Sequence, residues 1–355
     1  MIITRTPVRL SFAGGGTDMP SFYEQEGGAV LSTAINKYFY TVVTERSDTL
    51  LQLISSDLRV LEQVDAIDPS SYTGDLRIPL AVARRLNVRR GLNIFMASEI
   101  PPGTGLGSSA SVCVNIIRSL WTLQGRNVNP YELAEEAFFV ASRILGEPVG
   151  KQDEYAAAFG GINEILFEKS AVTVLPVDVR PEVRHALGRR LMLFFTGSSR
   201  RSTEILAEQN RGAREGASPV TRSLKAIRDL VEPARDSLMS GDLDAFGAVL
   251  HEGWLAKRAI SSRISSPEID ELYDLARSRG AIGGKLAGAG GGGFLMLLAR
   301  EGSQNGIRDA MTQRGLKEMR FGLDHHGSRV VYNDPYFDSN ETGGLSWSFV
   351  TGSAA

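Results

Sequence analysis

The stretch PPGTGLGSSASVCVN, residues 101–115, decides how the chain is interpreted. Gly103, Gly105 and Gly107 leave the backbone free to adopt positive φ angles and to approach a ligand closely. Ser108 and Ser109 follow directly, and the next apolar residues recur with the spacing of a buried or amphipathic helix. Such a segment is also typical of a flexible loop that merely starts a helix. We predict a serine-capped helix whose free N–H groups and dipole favour a bound phosphate.

Two further glycine-rich segments support the phosphate interpretation. In RTPVRLSFAGGGTD, residues 5–18, an alternating strand runs into three glycines, whereas in GGKLAGAGGGGFLMLL, residues 283–298, the glycines precede the strand. Gly288, Gly290 and Gly293 match GxGxxG, but a dinucleotide fingerprint follows a strand and opens a helix, which argues against a nicotinamide-dependent oxidoreductase. The sequence also lacks GxxxxGK[ST], so its motifs are not those of a P-loop NTPase.

Composition limits the class of protein. With 355 residues, of which 42% are hydrophobic, the chain suits one large or two medium domains. The net charge of −2 disfavours nucleic-acid and membrane-surface partners, and no apolar run is long enough to span a bilayer. The single cysteine, Cys113, excludes an internal disulfide and a cysteine-based metal site. The N-terminus lacks the apolar core of a signal peptide, so we expect a cytoplasmic protein.

Hydrophobic periodicity predicts a mixture of strands and helices. Strands are expected at 38–45, 92–97, 161–167, 172–177, 190–196, 294–298 and 329–332. Helices are expected at 76–86, 130–145, 201–209, 223–231, 243–260, 268–279 and 304–314.

The three glycine-rich segments, in this order, resemble the GHMP kinase superfamily, which includes galactokinase, homoserine kinase and the mevalonate kinases. PVRLSFAGGGTD is similar to its first motif, PPGTGLGSSAS to its phosphate-binding second motif and KLAGAGGGG to its third. The resemblance implies an α+β fold, with an N-terminal βα domain, a C-terminal ferredoxin-like domain and the active site in the cleft between them. We expect the ATP-phosphate-binding and catalytic domain at 1–185, the C-terminal GHMP kinase domain at 186–340 and a flexible tail at 341–355.

A narrower resemblance concerns GGGTDMPSFYEQEGG (14–28), GKQDEYAAAFGGIN (150–163) and TGSSRRSTEIL (196–206), which look like the heptose-7-phosphate kinase branch. It implies ATP-dependent phosphorylation of the anomeric hydroxyl of D-glycero-D-manno-heptose 7-phosphate, for nucleotide-activated heptose and surface polysaccharide. Alternatives are a fucokinase-like or galactokinase-like enzyme, or a catalytically inactive sugar or nucleotide sensor of the same fold. The expected partners are thus ATP and a sugar phosphate, and a homodimer is one option for the oligomeric state.

The resemblance implies catalytic roles for Asp153, in GKQDEY, and for Arg9, in the first motif. Asp153 is expected to be the general base that takes the proton of the sugar hydroxyl. Arg9 is expected to stabilise negative charge on the acceptor or on the transferring phosphoryl group. Without the resemblance, Asp153 could cap a helix and Arg9 could lie on a strand surface.

The second motif supplies the residues expected to hold the phosphates of ATP: Gly103, Gly105, Leu106, Gly107, Ser108, Ser109 and Ala110. Ser109 is also the expected Mg²⁺ ligand. The superfamily usually adds a glutamate about twelve residues before the catalytic aspartate, but Ala141 occupies that position here. This departure leaves Mg²⁺ to Ser109, ATP and water, and such coordination suits a cation that keeps several waters.

The substrate is expected to contact Gly16, Thr17, Asp18, Lys37, Lys151, Gln152, Arg200, Arg201, Gly290 and Gly291. Asp18 would accept hydrogen bonds from sugar hydroxyls. Lys37, Arg200 and Arg201 are candidates for the substrate's own phosphate, although each could be an ordinary surface charge. His325 and His326 have no suitably spaced acidic or cysteine partners, so we do not expect them to bind a metal.

Overall fold

The structure is a computed structural model that describes residues 1–65, 74–88, 91–197, 202–214 and 219–334. In these ranges the strands are β1 (Ile2–Ala13), β2 (Gly28–Glu45), β3 (Leu51–Ser55), β4 (Val60–Val64), β5 (Leu92–Ser98), β6 (Ile162–Phe167), β7 (Val172–Pro176), β8 (Leu191–Phe195), β9 (Ala281–Leu286), β10 (Phe294–Ala299), β11 (Lys317–Glu318) and β12 (Arg329–Asn333). The helices are α1 (Pro20–Glu26), α2 (Arg77–Arg85), α3 (Ser108–Leu123), α4 (Pro130–Phe139), α5 (Gln152–Phe159), α6 (Pro181–Arg190), α7 (Ser202–Arg214), α8 (Pro219–Asp229), α9 (Val231–Ser240), α10 (Leu243–Arg258), α11 (Pro267–Ser278) and α12 (Gln304–Gln313). A π-helical turn (Val140–Ile144) continues α4.

The larger sheet is built around β2, which is long enough to pair with different strands along its two halves. β1 lies antiparallel along one side of β2. On the other side, the first half of β2 pairs with β6 and the second half with β5. The strand order is β12-β1-β2-β5-β3-β4, with β7 attached to β6. Helices α2 to α5 bury their apolar faces in one hydrophobic cluster with this sheet.

The smaller sheet has the strand order β11-β8-β10-β9, and all its pairs are antiparallel. Numbered within this sheet, the order is 4-1-3-2, and helices connect the first strand to the second and the third to the fourth. This is the split βαβ arrangement of a ferredoxin-like fold. The α+β fold with a ferredoxin-like second half is thus confirmed.

A shared apolar cluster joins the two sheets. It combines residues of β1 with residues of β8, β10 and α10. At its centre the ring of Phe12 meets the ring of Phe246 edge to face, with 5.2 Å between centroids. Because the C-terminal part of β1 packs against elements of the smaller sheet, its side chains lie at the boundary between the two halves.

Three local expectations need correction. The first residue of α3 is Ser108, and its N-cap is Gly107 in the left-handed conformation, so no serine side chain caps this helix. The helix expected at 130–145 ends as α4 at Phe139 and finishes in the π-helical turn. The strand expected at 329–332 forms β12, but it pairs with β1 in the larger sheet. It therefore lies apart from the ferredoxin-like half to which residues 186–340 were assigned.

No helix in the described ranges is both long and apolar enough to cross a membrane.

Candidate active site

Residues 103–107, called the phosphate loop below, lie directly before α3. They are held by backbone contacts with the third glycine-rich segment. Gly105 has φ +83°, and a Cβ on it would lie 2.3 Å from the carbonyl oxygen of Ala287. Gly288 approaches from the other side, since its own Cβ would lie 2.5 Å from the Cα of Gly105. Two loops that are 180 residues apart therefore touch through their backbones, and only glycine permits this contact.

Asp153 and Arg9 form an ion pair beside this loop. Arg9 Nε donates to Asp153 Oδ1 over 2.8 Å, and Arg9 Nη2 lies 2.7 Å from the same oxygen. Arg9 Nη1 donates to the carbonyl oxygen of Gly105 over 2.7 Å. The other carboxylate oxygen, Oδ2, lies next to Gly107, because a Cβ there would be 3.2 Å from it. One oxygen of Asp153 is thus held by the guanidinium while the other faces the start of α3.

Asp18 is buried between the first glycine-rich loop and the start of α5. Its Oδ1 accepts hydrogen bonds from Gly16 N and Gln152 Nε2, each over 2.9 Å, and its Oδ2 accepts one from Gln152 N over 3.1 Å. Burial raises the pKa of Asp18, and the nearby Asp153 charge adds to the rise. Asp18 therefore organises this corner of the site and also faces its cavity.

These residues line a cavity of about 170 Å³ between the two halves of the protein. All three glycine-rich segments contribute to its wall. The expected site residues that line it are Arg9, Gly16, Asp18, Gly103, Gly105, Gly107, Ser108, Ser109, Ala110, Gln152, Asp153 and Gly290. The structure therefore brings the expected catalytic pair, the phosphate loop and the first motif to one place.

Other expected site residues are not part of this wall. Thr17 is fully buried, and its hydroxyl donates to the carbonyl oxygens of Gly14 and Ala29, so it supports the loop, and its expected contact with the substrate stays a prediction. Lys151 points away to Glu135, with Nζ 2.6 Å from Oε1. Leu106 is buried in the shared apolar cluster, although its carbonyl accepts from Arg9 N over 3.0 Å.

Lys37 and Gly291 are also absent from the residues that line the cavity. Lys37 lies where the pairing of β1 with β2 is interrupted, between Ile35 and Tyr38. Gly291 donates its N–H to the carbonyl oxygen of Ile264 over 2.9 Å. Arg200 and Arg201 lie outside the described residues, and their expected role stays a prediction.

Four acidic or basic residues that the sequence analysis did not assign to the site also line the cavity: Glu147, Glu154, Lys257 and Lys285. Glu154 is almost fully buried, its Oε2 has no hydrogen-bond partner within the described structure, and burial raises its pKa well above the usual value. Burial lowers the pKa of Lys257 to about 8 and that of Lys285 well below its usual value. Lys285 begins the quoted KLAGAGGGG, but only the fold reveals that these lysines face inward.

A second cavity, of about 190 Å³, lies on the other side of the start of α3. Ser108, Ser109 and Ile78 line both cavities, so the two spaces meet at the first turn of this helix. The wall of the second cavity has an apolar part, made by Phe39, Leu58, Leu76, Pro79, Met96, Ile100, Pro102 and Val112, and also includes the charged residues Asp57, Asp75 and Arg77. The apolar part suits a flat ring system.

Two oxygen donors in the wall of the main cavity, Ser109 and Glu147, could hold a divalent cation. Ser109 is exposed in the first turn of α3, and Glu147 lines the main cavity close to Ala141, to whose carbonyl its N–H donates. Glu147 is paired with Arg77, whose Nη2 lies 2.5 Å from Oε1. No group of three or more histidine, cysteine or acidic residues suited to a metal occurs among the described residues. The donor set fits a cation that binds few protein ligands and keeps substrate oxygens and water, as Mg²⁺ does.

The comparisons with known proteins agree with this geometry. The GHMP kinases N-terminal domain matches residues 76–161, and the GHMP kinases C-terminal domain matches residues 234–317. D-glycero-alpha-D-manno-heptose 7-phosphate kinase of Campylobacter jejuni is 28% identical over 337 residues, which cover 90% of this chain and 99% of that protein. Mevalonate kinase of Thermococcus onnurineus is 30% identical over 246 residues, covering 68% of this chain and 69% of that enzyme.

Solved structures show the same architecture. A D-glycero-D-manno-heptose 1-phosphate kinase from Bacteroides thetaiotaomicron superimposes with a TM-score of 0.76 at 23% identity, covering 94% of this chain and all of that chain. A putative sugar kinase from Campylobacter jejuni gives a TM-score of 0.74 at 26% identity, covering 93% and 97% of the two chains.

The chain belongs to the GHMP kinase family. It is an ATP-dependent carbohydrate kinase, related at modest identity to a heptose 7-phosphate kinase.

Proposed function

We propose that this enzyme transfers the terminal phosphoryl group of ATP to the anomeric hydroxyl of D-glycero-D-manno-heptose 7-phosphate, giving the 1,7-bisphosphate. The observation that carries this proposal is the Asp153–Arg9 pair at the mouth of the phosphate loop, where Oδ2 of Asp153 faces the cavity side of Gly107. The relationship to the Campylobacter jejuni heptose 7-phosphate kinase over almost its whole length supports the choice of acceptor. The product would enter nucleotide-activated heptose synthesis for surface polysaccharide.

Asp153 acts as the general base in this proposal. Both close contacts of Arg9 go to Oδ1, so Oδ2 can accept the proton of the attacking hydroxyl. An anomeric hydroxyl is more acidic than an ordinary alcohol, so proton removal demands less of the base. Phosphoryl transfer needs alignment and charge stabilisation more than covalent chemistry. The pair therefore supplies a positioned base for the hydroxyl proton and a fixed positive charge for the transferring group.

Arg9 both positions the base and stabilises charge. Its guanidinium bridges Asp153 and the carbonyl oxygen of Gly105, which places a fixed positive charge between the base and the phosphate loop. Negative charge that develops on the transferring group would meet this cation without any rearrangement. Because Arg9 is almost fully buried, the interaction is screened little by water.

ATP binds along the start of α3. The backbone N–H groups of the loop and the positive end of the helix dipole favour its phosphates, and Ser108 and Ser109 add hydroxyl donors. The second cavity, which meets the main one at these serines, has an apolar part that suits the nucleoside. Mg²⁺ would be held by Ser109 and Glu147 with phosphate oxygens and water, and it would neutralise the phosphates when bound.

The acceptor sugar occupies the main cavity near the first glycine-rich loop. Asp18 and Gln152 face this space and can exchange hydrogen bonds with sugar hydroxyls. Gly16 has φ +101°, and a Cβ there would lie 2.3 Å from Gln209 Nε2, so a side chain at position 16 would displace Gln209 from the wall. The loop thus keeps open the space that a sugar needs.

A panel of acceptors tests the proposal. The purified enzyme is given ATP and Mg²⁺ with heptose 7-phosphate, free heptose, mannose, galactose and fucose, and kcat/KM is measured for each. We expect heptose 7-phosphate to exceed the free sugars by roughly ten- to a hundredfold, the usual worth of a charge-assisted contact. The product should show coupling between its anomeric proton and phosphorus in NMR. A better free hexose or fucose, or phosphate on a primary hydroxyl, would refute the acceptor but leave the kinase family intact.

A further inference from the structure

Lys257 and Lys285 are buried side by side in the wall of the main cavity, at 7% and 6% exposure, and neither has an assigned role. Lys257 comes from the end of α10 and Lys285 from β9, so two separate elements direct an ammonium group to the same place. Burying a charged ammonium group is expensive unless an opposite charge compensates it. A pair of buried lysines therefore calls for an anion.

The protein itself provides no carboxylate partner for these lysines in the part of the chain that the structure describes. Lys257 Nζ donates to the carbonyl oxygen of Gly288, and Lys285 Nζ donates to that of Phe12 over 3.3 Å. A carbonyl oxygen satisfies one of the three donors of an ammonium group but leaves its charge uncompensated. Each lysine thus keeps donors that can face a ligand.

Charges of both signs surround the two lysines. Arg9 is a third cation, and its charge lowers the pKa of both, whereas the charge of Asp18 raises the pKa of both and that of Asp153 raises the pKa of Lys257. Asp153 is already paired with Arg9. Burial raises the pKa of Asp18 and raises that of Glu154 well above the usual value, so both carboxyls are shifted towards the neutral form. A bound anion would therefore stabilise the charged form of both lysines.

Lys257 lies close to the phosphate loop. It is bound to Gly288, the residue whose backbone touches Gly105 in the phosphate loop. Its environment also includes the charges of Asp18 and Asp153, which are the expected sugar ligand and base. Lys257 thus lies between the nucleotide's phosphates and the acceptor.

We propose that Lys257 and Lys285 together form a phosphate-binding site within the main cavity, which takes the oxygens of a phosphate monoester or a terminal phosphoryl group. The group comes either from the acceptor sugar phosphate or from the nucleotide. This proposal rests on the kinase function proposed above. If the acceptor is the source, the two lysines take the part expected of Lys37, which does not line the cavity.

Calorimetric titrations separate the two sources. Dissociation constants are measured for the wild type, Lys257→Met, Lys285→Met and the control Lys225→Met, whose lysine is partly exposed on α8 and paired with Glu26. The probes are ADP, its β,γ-imido triphosphate analogue, heptose 7-phosphate and free heptose. If the nucleotide is the source, the preference for the triphosphate analogue over ADP falls roughly ten- to a hundredfold in the lysine variants. If the acceptor is the source, the preference for heptose 7-phosphate over heptose falls instead.

Thermal unfolding of the ligand-free proteins separates binding from structural support. Methionine fills a similar volume without the desolvated charge, so both variants should melt at or above the wild-type temperature while losing the stabilisation that the phosphate ligand provides. If a methionine variant does not fold, glutamine at the same position takes its place. Wild-type preferences for both phosphate ligands in both variants, or a lowered melting temperature with unchanged preferences, would overturn the proposal.

Failure of the proposed acceptor gives a different result. A wild-type enzyme that ignores heptose 7-phosphate refutes the acceptor, and the sugar arm is then run with whichever phosphorylated sugar the wild type binds. If the wild type binds none, the nucleotide arm alone decides whether the two lysines hold phosphate.

Discussion

The two oxygens of the Asp153 carboxylate have different surroundings. Arg9 occupies Oδ1 with two donors, while Oδ2 lies against Gly107 at the helix start. A positioned base of this kind contributes typically 10²–10⁴ to the rate of a proton transfer. The position of Oδ2 also explains the glycine before α3, because a side chain at position 107 would crowd this oxygen.

Asp153→Asn tests the role of the base. The amide keeps the size of the side chain but cannot take a proton, so kcat should fall by roughly 10²–10⁴ with ATP affinity little changed. Single-turnover kinetics and ATP titration measure the two effects. Asp178→Asn, on an exposed carboxylate that does not line the cavity, is the control and should behave as wild type. Turnover near the wild-type rate in Asp153→Asn would remove this residue from the mechanism.

The lowered pKa of Lys257 predicts that the stability of the fold increases with pH in the alkaline range. Its folded pKa of about 8 is below the ordinary 10.5, so between these pH values the unfolded chain binds more protons than the folded one. The free energy of unfolding contributed by this group should therefore rise with pH from about 8 to 10.5, by up to about 3 kcal/mol. Below pH 8 the charged lysine weakens the ligand-free fold by that amount. Arg9, Asp18, Asp153 and Lys285 surround it, and the charge of Lys257 also lowers the pKa of Lys285.

Urea unfolding at pH 7.5, 8.5 and 9.5 measures this effect. The wild type should gain stability relative to Lys257→Met as the pH rises, because the variant has no proton to lose. Lys225→Met should follow the wild type. Parallel curves for the wild type and Lys257→Met would show that Lys257 does not titrate in this range.

At the scale of elements, two loops and one helix start make the site. The segment before α3 and the segment before β10 approach so closely that their glycines touch, and both segments line the cavity. The π-helical turn after α4 also contributes to the wall, through Ala141. Such turns commonly occur at functional sites.

Gly288→Ala tests the loop contact. The new Cβ would lie 2.5 Å from the Cα of Gly105, so the phosphate loop must move, and we expect ATP affinity to fall roughly tenfold or more. The matched control is Gly125→Ala. Gly125 has almost the same φ, +71° against +72°, but nothing lies within 4 Å of its would-be Cβ. Both variants should lose about 1–2 kcal/mol of stability through backbone strain, and only Gly288→Ala should lose ATP binding. Equal ATP affinities would separate this contact from nucleotide binding.

At the scale of the whole molecule, a buried hydrogen-bond network connects β1, α3 and the residue that directly precedes β12. Thr4 Oγ1 donates to Asn115 Oδ1 over 2.8 Å, and Asn115 Nδ2 donates to Thr6 Oγ1 over 2.9 Å. Thr6 Oγ1 in turn donates to Ser328 Oγ over 2.8 Å. Since all of these groups are buried, each depends on its partners to offset the loss of water.

Asn115→Leu should therefore destabilise the protein by about 2–4 kcal/mol, because it removes one hydrogen-bond partner each from the hydroxyls of Thr4 and Thr6 and from the carbonyl oxygen of Phe39. Chemical denaturation measures the change. Thr122→Val in the same helix removes a hydroxyl that donates only to the carbonyl oxygen of Arg118 one turn away, and it should cost less than about 1 kcal/mol. A loss for Asn115→Leu no larger than that of Thr122→Val would contradict the network's role.

The sequence by itself determined the features that depend on neighbouring residues. Local periodicity predicted the helices α2, α10, α11 and α12 and the strands β5 to β8 close to their observed bounds, and the glycine-rich motifs predicted the family, the fold and the phosphate loop. Arg9, Asp18 and Asp153 were predicted because they lie within or beside quoted motifs, and the fold brings them to one cavity. Their roles stay predictions.

Only the tertiary structure decided which side chains share a space. In the sequence, Lys257 and Lys285 do not differ from other lysines of helices and strands. Nothing in their neighbouring residues indicates that both side chains point into the cavity. Thr17 and Lys151 lie in site motifs, yet Thr17 donates to backbone carbonyl oxygens and Lys151 donates to Glu135. Each side chain bonds the partner that the packing of the fold brings within reach. β12 pairs with a strand more than 300 residues earlier for the same reason. Contacts between distant segments depend on how whole elements pack, and this information is spread over the entire chain.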